Sequence, residues 1–130
     1  MRIGIILGST REGRIGEPIA RWIDSLDGFV FVTPEYNRSA PAPFKNAFDT
    51  LGEEWRAKPV AFAGYGYGYG GGVNSVRAWR QIIGAFAMPA TENDLSFSLA
   101  KEVRDGEFVP GSGQEKNVNA VLGELEALLR

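Results

Sequence analysis

The chain contains no cysteine and no histidine. Those absences exclude disulfides, thiol nucleophiles, Cys/His zinc sites and any serine–histidine triad. They also remove the one side chain that titrates near neutral pH without perturbation. Nor is there an excess of positive charge: a net charge of −2 and an isoelectric point near 5.2 argue against a nucleic-acid partner. No apolar run approaches the roughly 18 residues that span a bilayer. Gly8-Ser9-Thr10 cuts the N-terminal apolar run short, so neither a membrane partner nor a signal peptide is expected, and the expected location is cytoplasmic. An enzyme with this inventory is expected to leave its hard chemistry to a cofactor, keeping binding and orientation for the protein.

What is present is 130 residues, 44% hydrophobic and 23% charged, the balance of one soluble globular domain over residues 1–130. Apolar runs of strand length alternate with stripes of helical period. Ile3 to Leu7 reads as a parallel strand covered on both faces. Ile15, Ile19, Trp22, Ile23 and Leu26 form a helical stripe with Pro18 in its first turn, ended by Asp27-Gly28. Phe29 to Thr33 is a second strand, and Phe44, Ala47, Phe48, Leu51 and Trp55 a second stripe. Val60 to Ala63 is a third strand. Asn74 or Ser75 is the expected cap of the next helix, with stripe Val76, Trp79, Ile82, Ile83 and Phe86. A fourth strand is expected around Met88 to Thr91, although Pro89 weakens it. Leu95 to Pro110 reads as irregular, with a turn at Asp105-Gly106, and a last helix is expected near Glu115 to Leu129. Strand and helix alternate throughout, so the class is α/β with a parallel sheet.

In open α/β sheets ligands bind beyond the carboxyl ends of the strands, and three segments there have unusual composition. The first is Gly8-Ser9-Thr10-Arg11-Glu12-Gly13-Arg14. Its hydroxyls, arginines and backbone N–H groups suit a phosphate at a helix N-terminus. It is not a Walker A loop, because Arg14-Ile15 stands where Lys-Ser/Thr is needed. The second is Thr33-Pro34-Glu35-Tyr36-Asn37-Arg38-Ser39, running on to Pro43. Its prolines stiffen a loop in which Tyr36 and Asn37 offer a ring and an amide to a planar heteroaromatic ligand. A plain proline-rich connector has the same composition; the position at a strand's carboxyl end favours binding. The third is Gly64 to Gly72, interleaved with Tyr65, Tyr67 and Tyr69, where backbone can approach a ligand closely. The tyrosines are either stacking groups or the cover of a flexible loop. Gly66, Gly68 and Gly71 match the dinucleotide pattern G-x-G-x-x-G, but a run this rich in glycine meets it by chance.

Together these loops resemble the NADPH-dependent FMN reductase family, which has a flavodoxin-like fold. The resemblance is carried by Ile5-Ile6-Leu7-Gly8-Ser9-Thr10-Arg11 with Gly13-Arg14, by Phe29-Val30-Phe31-Val32-Thr33-Pro34-Glu35-Tyr36-Asn37, by Phe44-Lys45-Asn46-Ala47, and by the glycine loop. It implies that Ser9, Thr10, Arg11, Arg14 and Ile15 hold the FMN phosphate end. Pro34, Glu35, Tyr36 and Asn37 would line the isoalloxazine ring, and Gly66, Gly68 and Gly70 would close its other edge. It further implies NADPH or NADH as co-substrate, a small electron acceptor (quinone, azo compound, metal ion or free flavin), no protein-held metal, and a homodimer or homotetramer. The same loops would also serve an electron carrier without turnover, or persist in a cofactor-free oligomeric remnant.

One departure stands out. In the family a strand and a helix separate the first helix from the Phe-Val-Phe-Val strand, a unit of roughly 30 residues. Here only 18 residues lie between Thr10 and Phe29. The flavodoxin strand order 2-1-3-4-5 is therefore expected to become 1-3-4-5, four strands with the first at an edge. An edge of that kind invites pairing with another chain.

Overall fold

A computed structural model describes residues 1–7 and 21–130. Its centre is a four-stranded, all-parallel sheet of β1 (Ile3–Leu7), β2 (Gly28–Pro34), β3 (Val60–Gly66) and β4 (Leu95–Ser98), in that spatial order. In flavodoxin terms this is the expected 1-3-4-5 arrangement. β1 pairs with β2 from Ile3 opposite Gly28 to Leu7 opposite Val32. Among the described residues no strand lies on its other edge.

Besides the helical residues 21–24, the described helices are α1 (Ala42–Asp49), α2 (Val73–Ile83), the single turn α3 (Leu99–Glu102) and α4 (Gln114–Leu128). They cover both faces of the sheet because alternate strand residues point opposite ways. One face carries Phe29, Phe31, Val60 and Phe62, packed with Phe44 and Phe48 of α1 and Val76, Trp79 and Ile83 of α2. The other carries Val30, Ala61, Ala63 and Leu95 against Val121 and Leu125 of α4. Phe31 is the hub of the first layer, with ring centroids 5.1 Å from Phe44, 5.8 Å from Phe62 and 5.3 Å from Trp79. Edge-to-face contacts of this kind add to the area each ring buries.

Three sequence expectations are corrected. The stripe from Phe44 to Trp55 is not one helix: α1 ends at Asp49, and Trp55 sits in a short 3₁₀ turn, Glu53–Trp55, beyond Gly52. The fold-back stacks Trp55 on Phe48 at 4.7 Å and lets its indole N–H donate to the Phe48 carbonyl at 3.0 Å. The fourth strand is Leu95–Ser98, in a stretch read as irregular, while the Met88–Thr91 segment makes one isolated bridge, Val60 to Ala90. Its bonds run from Val60 N–H to the Pro89 carbonyl and from Thr91 N–H to the Val60 carbonyl. The chain then swings out before rejoining β3 at Ala63 opposite Leu95. Finally, neither Asn74 nor Ser75 caps α2. The cap position is Gly72, with φ of +90° and no side chain to offer.

The Asp105-Gly106 turn is present as expected. It closes a two-residue hairpin between β5 (Val103–Arg104) and β6 (Glu107–Phe108), with φ of +53° and +83° at the two turn residues. Those values belong to the turn type that Asp-Gly favours.

Candidate active site

The carboxyl ends of β2 and β3 are adjacent, and the sequences following them are held together by specific bonds. Thr33 is the last fully buried hydroxyl of β2. Its Oγ1 lies 2.9 Å from Ser75 Oγ and accepts the Trp79 indole N–H at 3.1 Å. Pro34 is buried and stands opposite Tyr65. Glu35 then donates its N–H to the Tyr65 carbonyl at 2.9 Å.

From Tyr36 the chain turns back on itself. Tyr36 N–H donates to the Ser39 carbonyl at 3.1 Å, and Ser39 N–H donates to the Tyr36 carbonyl at 2.9 Å. The two residues between them, Asn37 and Arg38, have φ of +50° and +62°. This is a tight left-handed hairpin, natural for asparagine but strained for arginine. Tyr36 is 59% exposed at the base of this turn, with Asn37 at its tip also open to solvent.

The glycine loop faces it from the end of β3. Tyr67 and Tyr69 are 78% and 94% exposed, so neither is a core residue. Of the chain's four tyrosines, Tyr36, Tyr67 and Tyr69 stand in these two loops and Tyr65 is the penultimate residue of β3. Burial, and then the neighbouring Tyr36, push the Tyr65 hydroxyl above its usual value. At Gly72 a Cβ would lie 2.2 Å from the Tyr65 nitrogen, so the loop closes onto β3 only with glycine there. Gly71 N–H donates to the Gly68 carbonyl at 3.1 Å, and the Gly71 carbonyl accepts Phe97 N–H at 3.2 Å. The loop is thus anchored at its base and open at Gly68, where a Cβ would meet nothing.

Glu35 has a role that the residue string does not reveal. Its Oε2 accepts the backbone N–H of Asn74 and its Oε1 accepts Asn74 Nδ2, both at 2.9 Å. Partial burial raises the carboxyl pKa, but those bonds, the Ser75 N–H and the nearby Arg38 outweigh it and hold the value below the ordinary one. The missing cap of α2 is supplied from another element, 39 residues earlier.

On the β4 side of the glycine loop is a depression of about 300 Å³ lined by Tyr69, Gly71, Ser96, Ser98, Lys101 and Gln114, among others. Lys101 Nζ stands 4.5 Å over the Tyr69 ring, a cation–π contact. Glu102 is its buried floor, accepting from Ser98 N–H, Gly111 N–H and Gln114 Nε2, each at 2.9 Å. No periodicity singles out Glu102 in the sequence.

The structure therefore brings Pro34, Glu35, Tyr36, Asn37, Gly66, Gly68 and Gly70 to one end of the sheet. Ser9, Thr10, Arg11, Arg14 and Ile15 lie outside the described residues. No described helix is long and apolar enough to cross a membrane.

Known proteins resemble this chain in sequence and in fold. The family model described as NADPH-dependent FMN reductase matches residues 23–102, more than half of the chain. An NAD(P)H-dependent FMN reductase of Schizosaccharomyces pombe is 56% identical over 49 residues, 38% of this chain and 24% of that protein. A quinone reductase of Pseudomonas putida is 39% identical over 71 residues, 51% of this chain and 38% of that protein. Among solved structures, the flavoenzyme NAD(P)H:(acceptor) oxidoreductase FerB of Paracoccus denitrificans superposes with a TM-score of 0.63 at 22% identity, covering 86% of this chain and 64% of that one. The matched segments thus span well under half the length of these sequence relatives.

Proposed function

The chain belongs to the NADPH-dependent FMN reductase family, and from that membership we propose that it binds FMN and works as an NAD(P)H oxidoreductase on a small acceptor. The observation that carries the reading is the joining of the Pro34–Asn37 and glycine loops at the carboxyl ends of two adjacent parallel strands. Ligands of open α/β sheets bind in that position.

The residues present fit such a group. An exposed tyrosine ring and an exposed amide stand on a hydrogen-bonded hairpin, beside backbone with no side chain in the way at Gly68. In this reading Pro34, Glu35, Tyr36 and Asn37 line the isoalloxazine ring, Gly66, Gly68 and Gly70 bound its other edge, and Ser9, Thr10, Arg11 and Arg14, with Ile15 beside them, hold the phosphate. FMN, when bound, supplies hydride acceptance and onward transfer of the electron pair to a quinone, azo compound, metal ion or free flavin. The protein's own work is binding and orientation. No side chain is needed as acid or base, consistent with a chain that has no histidine. The reading includes a cytoplasmic location and, because β1 is a sheet edge among the described residues, a homodimer or homotetramer that covers it.

The test is titration of purified protein with FMN, followed by NADPH under anaerobic conditions. Quenched flavin fluorescence and then bleached visible bands are expected. Binding without bleaching would assign the chain to electron carriage, and no binding would leave a cofactor-free remnant. Arg11→Ala is expected to weaken FMN far more than riboflavin, which lacks the phosphate. Equal weakening of both would remove Arg11 from the phosphate site.

A further inference from the structure

We propose that Glu35 is a positioning residue: by capping α2 from the end of β2, its side chain fixes the glycine loop against the Tyr36–Ser39 hairpin and so sets the opening that receives the flavin ring. The flavin part of this statement rests on the function proposed above; the joining of the two loops does not.

Four observations converge on it. First, α2 has no cap of its own, since Gly72 carries no side chain, and an uncapped helix N-terminus leaves backbone donors without partners. Second, both Glu35 oxygens are already engaged, one by Asn74 N–H and one by Asn74 Nδ2. A carboxylate held by such charge-assisted bonds is committed to the helix, so Glu35 borders the flavin opening as its support and its carboxylate makes no bond to the ring. Third, the backbone of Glu35 is tied to β3 through the Tyr65 carbonyl, so this one residue grips β3 and α2, the two elements that bracket the glycine loop. Fourth, a Cβ on Gly66 would lie 3.4 Å from Glu35 Cβ and 3.6 Å from Gly72 N. The strut and the start of the loop are therefore close neighbours, with little more than a methyl's space between them. Thr33, two residues earlier on the same face, adds the buried bonds to Ser75 and Trp79. The position of Tyr36 relative to Gly66–Gly70 is then set by residues 33 and 35 against residues 74, 75 and 79.

The experiment uses Glu35→Ala, Glu35→Gln, Asn74→Asp and the double variant E35Q/N74D. Two quantities are read: dissociation constants for FMN and for riboflavin by fluorescence quenching, and amide hydrogen exchange of residues 36–39 and 64–72 without flavin. Glu35→Ala is expected to speed exchange in both loops and to weaken both flavins by the same factor, about tenfold. Asn74→Asp alone sets two carboxylates against each other and is expected to do the same. The double variant restores a donor–acceptor pair with the roles reversed, and recovery of both readouts is expected. Should Glu35→Ala not fold, Asn74→Asp and the double variant carry the comparison, and Glu35→Gln, whose amide can still pair with a rotated Asn74 amide, is expected to lose least. The proposal is overturned if exchange at residues 64–72 is unchanged in Glu35→Ala and Asn74→Asp, or if flavin affinity falls and the double variant does not recover it. Wild-type protein that binds neither flavin would overturn the function and the flavin part of this role. The exchange measurement would still decide separately whether Glu35 joins the loops.

Discussion

The indole N–H of Trp79 donates to Thr33 Oγ1 across 3.1 Å, in a place where both residues are wholly buried. The same oxygen lies 2.9 Å from Ser75 Oγ. A helix and a strand that otherwise meet through aromatic rings are thereby registered by one hydroxyl, immediately before the chain leaves the sheet for the candidate site. Thr33→Val keeps the shape and removes the oxygen, leaving the Trp79 N–H and the Ser75 hydroxyl buried without it. A loss of about 1–3 kcal/mol is expected, read from urea denaturation. Thr33→Ser, which keeps the acceptor, is expected to lose less.

The glycine loop separates two kinds of glycine. Gly72→Ala would place a methyl 2.2 Å from the Tyr65 nitrogen at a φ of +90°, and the variant is expected to unfold or to lose most of its stability. Gly68→Ala would meet nothing and is expected to match wild type within about 0.5 kcal/mol. Thermal unfolding of the two variants side by side checks both statements.

Arg38 occupies the second position of a turn in which both central residues have positive φ. Glycine is the preferred partner of asparagine there, and relief of the arginine's strain is worth about 1–2 kcal/mol. Part of this is offset by the greater freedom of an unfolded glycine. Arg38→Gly is therefore expected to raise the urea midpoint by a net gain of about 1 kcal/mol or less. A lower midpoint would contradict the strain.

Glu102 sets a pH dependence. Burial raises its pKa, but the Gly111 N–H, the Gln114 amide and the Ser98 N–H outweigh that and hold the folded value below the ordinary one. A carboxyl with a depressed folded pKa binds fewer protons folded than unfolded. Its contribution is thus fully present above the unfolded value of about 4.3 and is lost as pH falls through the lower folded value. Glu35 acts in the same direction. Stability measured from pH 7 down through the carboxylate range is expected to fall less steeply in Glu102→Gln than in wild type, though from a lower starting value.

Much of this was legible in the residues. The apolar runs Ile3–Leu7, Phe29–Thr33 and Val60–Ala63 declared the parallel strands, because strands covered on both faces need continuous hydrophobic sequence. Set against the 2-1-3-4-5 order implied by the family resemblance, the short span from Thr10 to Phe29 announced the 1-3-4-5 order, since too few residues remain for another crossover. The Asp105-Gly106 turn was visible because its backbone requirement is local. β4 was not, for Leu-Ser-Phe-Ser is four residues long and fully buried only at Leu95; β3 makes it a strand by supplying bonds along Ala63–Gly66. The break between Asp49 and Trp55 was hidden because the stripe continues across it, and the stacking of Trp55 on Phe48 decides the path.

By itself the sequence determined three of the four parallel strands and the three loops with unusual chemistry, since each follows from local composition, while the strand order needed the family resemblance beside the short span between Thr10 and Phe29. Tertiary structure alone decided that Glu35, Thr33, Asn74, Ser75 and Trp79 form one bonded unit. These residues are 39 to 46 positions apart, and their partnership exists only because β2 and β3 bring α2 back over the same end of the sheet. Hydrogen bonds across such separations leave no periodic mark in the chain, so no reading of residue order could find the cap that α2 lacks.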